Sequence, residues 1–222
     1  MSTEILSQES INIHSIYAVQ PWLDENQHLL RGTNAEVVSI DENALKKVST
    51  LKTPNQVMVV AELPKFKIDE LDLSDTFSLC LDGIRDPGNL GTILRTADWF
   101  GIPYVFCSHD TVDQFNPKVV QATMGALFRV KCIETNLHDL FWKFPDMPVL
   151  GCTLDGHNLY EAKLPESGFI IIGNESHGIG KDLFPFLSDK VLIPGSGKGA
   201  ESLNAAVATG IVCAHLFQNK QS

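Results

Sequence analysis

The sequence is poor in the features that mark secreted, membrane-bound and metal-binding proteins. It has no apolar run near the roughly 18 residues that a membrane span requires, and its start is not a basic and then apolar segment. Its five cysteines occur singly, and no pair of Cys or His residues has the spacing of a metal ligand set. These absences predict a cytoplasmic protein with reduced thiols, no membrane segment and no metal centre.

Basic residues are also scarce. The 222 residues include 17 Lys and Arg against 27 Asp and Glu, a formal net charge of −10. Proteins that bind nucleic acid usually present a basic face, so the overall charge argues against such a partner. A local patch can still form, with weak and salt-sensitive binding as the expected result. Its candidate cations are Arg85, Arg95, Lys118, Arg129, Lys131 and Lys198.

The chain does have alternating strand and helix patterns over its C-terminal two thirds. Residues 75–222 are predicted to form one α/β domain with a parallel sheet, and residues 1–70 a separate smaller unit. A proline-containing stretch over 64–75 is the predicted linker. Beyond the segments discussed next, the predicted strands cover residues 11–19, 57–63, 102–107, 130–134 and 149–153, and the predicted helices cover 23–31, 42–49, 117–127 and 137–144.

A strand over residues 76–84 is followed by turn residues and then by a helix. We expect Asn89 to cap this helix and Gly101 to end it. The apolar residues between them share one face, so Arg95 points away from the core, about 9 Å along the axis from Asn89. Asn89 and Arg95 can then flank one group of a substrate, although a plain cap and a solvated arginine explain them as well.

Two later strands also end in loops that combine glycine with polar residues. A strand over 168–173 precedes Glu175, and a strand over 190–194 precedes a loop at 195–199 and a helix that begins near Ser202. The second loop resembles a phosphate-binding loop but lacks the Ser or Thr that should follow its lysine. Because the carboxyl ends of parallel strands share one edge of a sheet, the three polar segments are predicted to form one ligand site.

Together the three segments resemble the signature motifs of the SpoU family, also called TrmH-type RNA 2′-O-methyltransferases, in the SPOUT superfamily. The residues that match are Asp86 through Ala97 in the first motif, Gly173, Glu175 and Gly178 in the second, and Ile193, Pro194, Ser202, Leu203 and Asn204 in the third. The resemblance covers residues 75–218. It departs from the usual pattern at Gly195, where the family often has Met, and in a slightly longer loop before Ser202, which affects loop geometry more than polar groups.

The resemblance implies a fold as well as a site. The expected fold is an α/β parallel sheet with a C-terminal trefoil knot, preceded by a small α/β substrate-binding domain over residues 1–70. That N-terminal part is similar to an abbreviated ribosomal-protein-like domain, and Lys46, Lys47 and Lys52 are its candidates for RNA phosphate contacts. A solvated helix face explains these lysines equally well.

The function that the resemblance implies is transfer of a methyl group from S-adenosylmethionine to a ribose 2′-hydroxyl of rRNA or tRNA. Arg95 matches the arginine that activates the hydroxyl, and the polar frame around it is Asn89, Glu175, Ser202 and Asn204. The positions implied to hold the cofactor are Thr153, Leu154, Gly173, Glu175, Gly178, Ile193 and Leu203. Because a guanidinium stays protonated in proteins, proton removal by Arg95 would need help from an RNA phosphate or a desolvated pocket. The simpler hypothesis is that Arg95 binds the phosphate and stabilises the attacking oxygen.

The C-terminal helix predicted from Ser202 to Phe217 is apolar nearly all round. A helix without a polar face needs packing partners on two sides. The sheet provides one, and a second copy of the chain, which the resemblance also implies, provides the other. The sequence therefore predicts a homodimer.

Two other classes of function are compatible with the sequence. An RNA-binding module that has kept the fold and lost activity would bind the methyl donor without transferring the methyl group. A nucleotide-binding α/β enzyme that uses the loop over 195–199 would instead bind ATP or GTP. The presence of all five catalytic candidates favours the methyltransferase over the first of these.

Overall fold

The computed structural model describes residues 2–8, 11–49, 51, 53 and 55–220 and divides the chain between residues 65 and 66 into two compact units. In the first unit a three-stranded sheet has the order β2-β1-β3, with β1 parallel to β2 and antiparallel to β3. Its small core includes Ile16, Trp22, Leu45 and Val57. The elements of this unit are α1 (Ser2–Ile5), β1 (Ile13–Ala18), α2 (Gln20–Glu25), α3 (Gln27–Leu30), β2 (Glu36–Ser39), α4 (Glu42–Val48) and β3 (Val57–Ala61).

Two features of this unit differ from the sequence-based expectation. The helix predicted over 23–31 is two short helices separated at Asn26, whose side-chain amide donates to the carbonyl of Trp22 and closes the first. Strand β2 has no counterpart among the predicted strands. Lys46 and Lys47 lie exposed in the last turn of α4, whereas Lys52 lies outside the described residues.

The second unit is a six-stranded sheet, and each of its strand pairs is parallel, which confirms the predicted α/β class. The strand order is β6-β5-β4-β8-β7-β9. The strands are β4 (Phe77–Leu81), β5 (Tyr104–Cys107), β6 (Lys131–Glu134), β7 (Val149–Asn158), β8 (Gly168–Ile172) and β9 (Asp189–Leu192). The helices are α5 (Pro87–Trp99), α6 (Pro117–Thr123), α7 (Leu137–Lys143) and α8 (Ala205–Lys220).

Alternate residues of the central strands separate two hydrophobic cores, as the two-residue period of a strand requires. Leu79 and Ile170 belong to the core that packs under α5 and α8, while Cys80 and Phe169 belong to the core under α7. Helices therefore cover both faces of the sheet. A short 3₁₀ helix over Lys181–Phe186 adds to the α7 side.

Helix α6 begins as predicted, because Asn116 accepts a hydrogen bond from the Lys118 amide and proline occupies the first turn. It ends earlier than predicted. Met124 has φ 51° and is followed by Gly125 with φ 92°, so the helix stops at Thr123 and Met124 is exposed, contrary to its expected place on the buried face. Within the described part of the chain, no helix combines the length and apolarity needed to cross a membrane. The trefoil knot stays a prediction.

Candidate active site

The three motifs follow three strands at the same edge of the sheet. Strand β4 leads into the first motif, β8 into the second and β9 into the third. In register, Leu81 pairs with Ile172, so the first two motifs leave neighbouring strands at the same level. The carboxyl edge of a parallel sheet is where α/β proteins bind ligands.

Helix α5 begins three residues earlier than expected. Asp86 and not Asn89 caps it, since the Asp86 carboxylate accepts a hydrogen bond of 2.7 Å from the Asn89 amide nitrogen, and Pro87 occupies the first helical position. The prediction that Asn89 is the cap is therefore wrong. The consequence is functional, because the side chain of Asn89 is free to make tertiary contacts.

The Asn89 side chain connects all three motifs. Its amide nitrogen donates to Oε1 of Glu175 in the loop after β8, and its Oδ1 accepts a hydrogen bond of 2.8 Å from Nδ2 of Asn204 before α8. These residues are separated by 86 and 115 positions in the chain. The structure thus brings Asn89, Glu175 and Asn204 into one polar chain, half-buried at Asn89 and Glu175.

The loop of the second motif is fastened to the segment between β4 and α5 by two contacts that the sequence reasoning did not foresee. Asn174 Nδ2 donates to the carbonyl of Gly83 at 2.7 Å, and Asp82 accepts a 2.7 Å hydrogen bond from the amide of Gly180. Burial raises the pKa of Asp82, aided by the charges of Asp110 and Asp182 and opposed by the Gly180 bond. No local pattern predicts either contact, since Asn174 lies 91 residues from Gly83 and Gly180 lies 98 residues from Asp82.

Two backbone features close this loop on itself. Asn174 and Gly178 exchange two backbone hydrogen bonds of 3.0 and 2.8 Å. A Cβ at Gly173 would stand 2.2 Å from the carbonyl carbon of Gly178, so only glycine fits at that position. Gly178 itself is exposed with φ 69°.

Helix α8 begins at Ala205 and not near Ser202. Asn204 Oδ1 accepts from the amides of Ala206 and Val207, at 3.0 and 3.3 Å, which is the bonding of a helix cap. The loop over 195–199 is thus separated from the helix by five exposed residues. A phosphate-binding loop leads directly into its helix, so the geometry contradicts the nucleotide-binding alternative.

Two of the five catalytic candidates are near the polar chain but not bonded to it. Arg95 is exposed on α5, about 9 Å along the axis from Asn89, and Ser202 is exposed in the loop before α8. Neither side chain makes a hydrogen bond or ion pair with another residue in the described ranges. Their assignment to the site stays a prediction.

The positions expected to hold the cofactor lie within β7 and in the loops after β8 and β9. Gly173 and Ile193 are the first residues after β8 and β9, whereas Thr153 and Leu154 lie inside β7, where its pairing with β9 shifts register after Cys152. Leu154 and Leu203 next to them are 70% and 46% exposed. Large aliphatic side chains left this open beside polar backbone suit a ligand with an apolar face.

The predicted basic patch is reduced by internal pairing. Arg85 forms an ion pair with Asp110, Arg129 binds both carboxylate oxygens of Asp98, and Lys131 lies over the rings of Phe66 and Tyr104. Three of the six candidates have no charged or aromatic partner among the residues with described positions. These three are Arg95, Lys118 and Lys198.

No cluster of three or more His, Cys, Asp or Glu residues in the described ranges could hold a metal ion. The described cysteines Cys80, Cys107, Cys132, Cys152 and Cys213 are free.

The chain matches the SpoU rRNA Methylase family over residues 76–214. Among curated proteins, the chain is 33% identical over 187 residues to the 23S rRNA (guanosine(2553)-2′-O)-methyltransferase RlmP of Bacillus subtilis, an alignment covering 83% of this chain and 73% of that protein. It is 31% identical to the 23S rRNA (guanosine-2′-O-)-methyltransferase RlmB of Salmonella typhi, with coverage of 71% and 69%.

The solved structures that resemble this chain include RNA methyltransferases as well. A TrmH-family protein from Porphyromonas gingivalis is 38% identical with a TM-score of 0.83, covering 98% of this chain and 86% of that one. An AdoMet-bound rRNA methyltransferase from Sinorhizobium meliloti is 25% identical with a TM-score of 0.88, covering 100% and 86%.

Proposed function

Because the chain belongs to the SpoU rRNA methylase family, we propose that it transfers a methyl group from S-adenosylmethionine to a ribose 2′-hydroxyl of RNA. The observation that carries this proposal is the hydrogen-bonded chain of Asn89, Glu175 and Asn204, which joins the three motifs at one edge of the sheet. Relatives named as 23S rRNA 2′-O-methyltransferases support ribosomal RNA as the substrate, with tRNA as the other candidate.

The residues present fit the methyl donor. When bound, S-adenosylmethionine supplies an electrophilic methyl group on a sulfonium. Backbone groups at Thr153, Gly173, Gly178 and Ile193 would hold its polar parts, and the exposed side chains of Leu154 and Leu203 would cover its apolar face. Glu175, fixed by Asn89, provides the negative charge that a sulfonium favours nearby.

The remaining polar residues would position the ribose. Asn89 holds Glu175 and Asn204 in one arrangement, so these three groups need no reorganisation when substrate binds. Arg95 and Ser202 are free to bind the RNA. We assign Arg95 to the phosphate and to the negative charge that develops on the 2′-oxygen as it takes the methyl group from the sulfonium, and the hydroxyl proton is released to solvent water and not to the guanidinium.

The direct test is methyl transfer to RNA that lacks the modification. Purified protein, labelled S-adenosylmethionine and ribosomal or transfer RNA from cells lacking this gene should yield ribose methylation that mass spectrometry maps to one nucleotide. Binding of S-adenosylhomocysteine by calorimetry without transfer to either RNA would instead identify an inactive RNA-binding relative.

The proposed assembly is a homodimer formed through α8. One face of this helix is buried in the subunit, at Ala205, Val212 and Leu216. On the other side Val207 is 51% exposed, and Ile211 one turn later is half-buried. A second copy would cover this aliphatic face, so Val207→Lys should convert a dimer to a monomer in analytical ultracentrifugation. A wild-type protein that sediments as a monomer would contradict the proposal.

For the first unit we propose a role in binding the RNA substrate, through the exposed Lys46 and Lys47 of α4. Replacing both by Ala should weaken RNA binding and reduce its salt dependence while leaving cofactor affinity unchanged. The five reduced thiols and the ribosomal substrate of the relatives support a cytoplasmic location.

A further inference from the structure

A histidine lies in the loop of the second motif, beside the polar chain of the candidate active site. The loop is closed by the two backbone hydrogen bonds between Asn174 and Gly178, and the exposed His177 lies between them. Consecutive Cα atoms are about 3.8 Å apart, so those of His177 and Glu175 are separated by at most about 7.6 Å. Glu175 belongs to the polar chain through Asn89, so His177 is part of the same site.

The hydrogen bonds of Asn174 fix the orientation of its side-chain amide. Its Nδ2 donates to the carbonyl of Gly83 at 2.7 Å, and a carbonyl oxygen can only accept. Its Oδ1 accepts from the backbone amides of Ser176 and His177, at 2.8 and 3.3 Å. The atom that faces this turn is therefore the oxygen, which has no proton to donate.

This orientation determines which ring nitrogen of His177 carries the proton. Nδ1 of the ring lies 3.3 Å from Oδ1 of Asn174, and a hydrogen bond between these two atoms requires a proton on Nδ1. In neutral imidazole the other nitrogen then has a free lone pair. Nε2 of His177 has no hydrogen-bond partner among the described residues, so it is a base that is open to another molecule.

Several charged groups on the segments that contact this loop have partners of their own. The pairs are Glu175 with Asn89, Asp82 with the amide of Gly180, Arg85 with Asp110, and Asp182 with His138. Lys181 after the loop and Arg95 on α5 are exposed cations that form no ion pair in the described ranges. Ammonium and guanidinium groups are ordinarily protonated at neutral pH and cannot take a proton, whereas a neutral imidazole can.

We propose that Nε2 of His177 is the general base for the ribose 2′-hydroxyl. As the 2′-oxygen forms its bond to the methyl carbon, the bond from that carbon to sulfur breaks and its electron pair stays on sulfur, which leaves S-adenosylhomocysteine. The hydroxyl proton moves to Nε2, and the exposed imidazolium then releases it to water. This inference rests on the proposed function and deepens it, because it names the group that carries the proton to solvent.

The test measures kcat for methyl transfer in His177→Gln, His177→Ala and the control His109→Ala, with rRNA from cells lacking the gene. Glutamine can still donate a hydrogen bond to Asn174 but has no basic nitrogen, so it separates fastening of the loop from base catalysis. We expect kcat to fall about 100-fold in both His177 variants, with the Kd for S-adenosylhomocysteine changed by less than about twofold. His109 is exposed and pairs with Glu134 at 2.8 Å, so His109→Ala should match the wild type.

Two further measurements distinguish a base from a residue that only shapes the loop. In the wild type, kcat should fall toward acid pH as the imidazole is protonated, and this fall should be absent in His177→Gln. Added imidazole should raise the kcat of His177→Ala by about tenfold, in proportion to its unprotonated fraction, and should not change that of the wild type.

The outcomes separate this inference from the proposed function. A wild-type kcat in His177→Gln, in an enzyme that methylates RNA, would overturn the role of His177 alone. A low kcat in both variants with an unchanged pH profile and no rescue by imidazole would also overturn it, since His177 would then only hold the loop. A wild-type protein that binds S-adenosylhomocysteine and methylates neither rRNA nor tRNA would refute the proposed function itself, and with it a base for this reaction.

Discussion

The two faces of the six-stranded sheet differ in how their surface groups are satisfied. On the α7 side, polar groups pair within the subunit, as in the 2.6 Å contact of His138 with Asp182 and the ion pair of Lys143 with Asp69. On the α5 and α8 side, Arg95, Trp99 and Val207 are exposed, and the first two have no partner in the described chain. The polar groups named on the α7 side are paired within the chain, whereas Arg95 and Trp99 on the α5 side have no such partner among the described residues.

This difference indicates which face of the sheet is the better candidate for binding another molecule. Both faces bury a large core, so burial alone does not distinguish them. What distinguishes them is the availability of hydrogen-bonding and aromatic groups at the surface. The comparison predicts that mutations on the α7 side change stability, and that mutations on the α5 side change activity.

The largest expected effect is on stability, from Phe141→Ala in α7. Phe141 is 3% exposed and contacts the rings of Phe169 and Phe186, with centroids 5.4 and 5.6 Å apart. Removing its ring should lower the free energy of unfolding by about 3–5 kcal/mol, measured by urea denaturation. Activity per folded molecule should not change. The neighbouring Trp142→Ala is the control and should cost only about 0.5 kcal/mol.

Arg95→Ala should lower activity and leave stability nearly unchanged, the reverse of the effect expected for Phe141→Ala. Because Arg95 is exposed and without an ion pair in the described structure, its loss should leave the unfolding free energy within about 0.5 kcal/mol. Loss of a group that stabilises charge on the attacking oxygen should lower kcat about 100-fold or more. Near-normal turnover at saturating RNA would remove Arg95 from the mechanism.

Arg95→Lys distinguishes the two chemical roles of this residue. A lysine can lose its proton within an accessible pH range, whereas a guanidinium cannot. If Arg95 only stabilises charge, the variant should keep the wild-type pH profile below the lysine pKa with a reduced plateau. A new rate increase with rising pH in the variant would indicate that the residue at this position accepts the proton.

The sequence predicts an element of the fold correctly where neighbouring residues alone determine where that element begins and ends. The cap at Asn116 with Pro117 was predicted correctly, since the residues involved are adjacent. The start of α5 was not, because Asp86 and Asn89 are both good caps and only Pro87 favours the first. Strand β2 was missed because it is short and mostly exposed, and its pairing with β1 alone defines it.

In the candidate site, too, local sequence predicts some features and tertiary contacts determine the others. The motifs identify Asn89, Glu175 and Asn204 as polar residues near strand ends, and the parallel sheet predicts that they converge. The hydrogen bonds between them depend on side-chain directions across more than 80 residues of chain, which no local pattern determines. The roles of Asp82 and Asn174 in fastening the loop depend on the same tertiary geometry.

A smaller effect is expected at Asn204, where two roles can be separated. Its Oδ1 caps α8 and its Nδ2 donates to Asn89. Asn204→Ala should lose both, lowering the unfolding free energy by about 1 kcal/mol and reducing activity. Asn204→Asp keeps an oxygen for the cap and loses the donor, so stability should be retained while activity falls. Equal activity of Asn204→Asp and wild type would show that the bond to Asn89 is not needed.

The smallest effect is expected at Asp82, which joins the two faces by accepting the Gly180 amide at the start of the 3₁₀ helix. Because burial raises its pKa in the folded state above the ordinary value of about 3.9, ionised Asp82 destabilises the protein at neutral pH. Asp82→Asn keeps an acceptor for Gly180 and should raise Tm at pH 7 by no more than about 2 °C.

The Tm advantage of Asp82→Asn over the wild type should increase as the pH rises. Below the unfolded-state pKa both states of the wild type carry a protonated Asp82, so the variant should show no advantage there. The advantage should appear as the pH rises through the folded pKa and then stay constant. A Tm difference that grows toward acid pH would mean that the ionised carboxylate stabilises the Gly180 contact, and Asp82 would then resemble the paired groups of the α7 side.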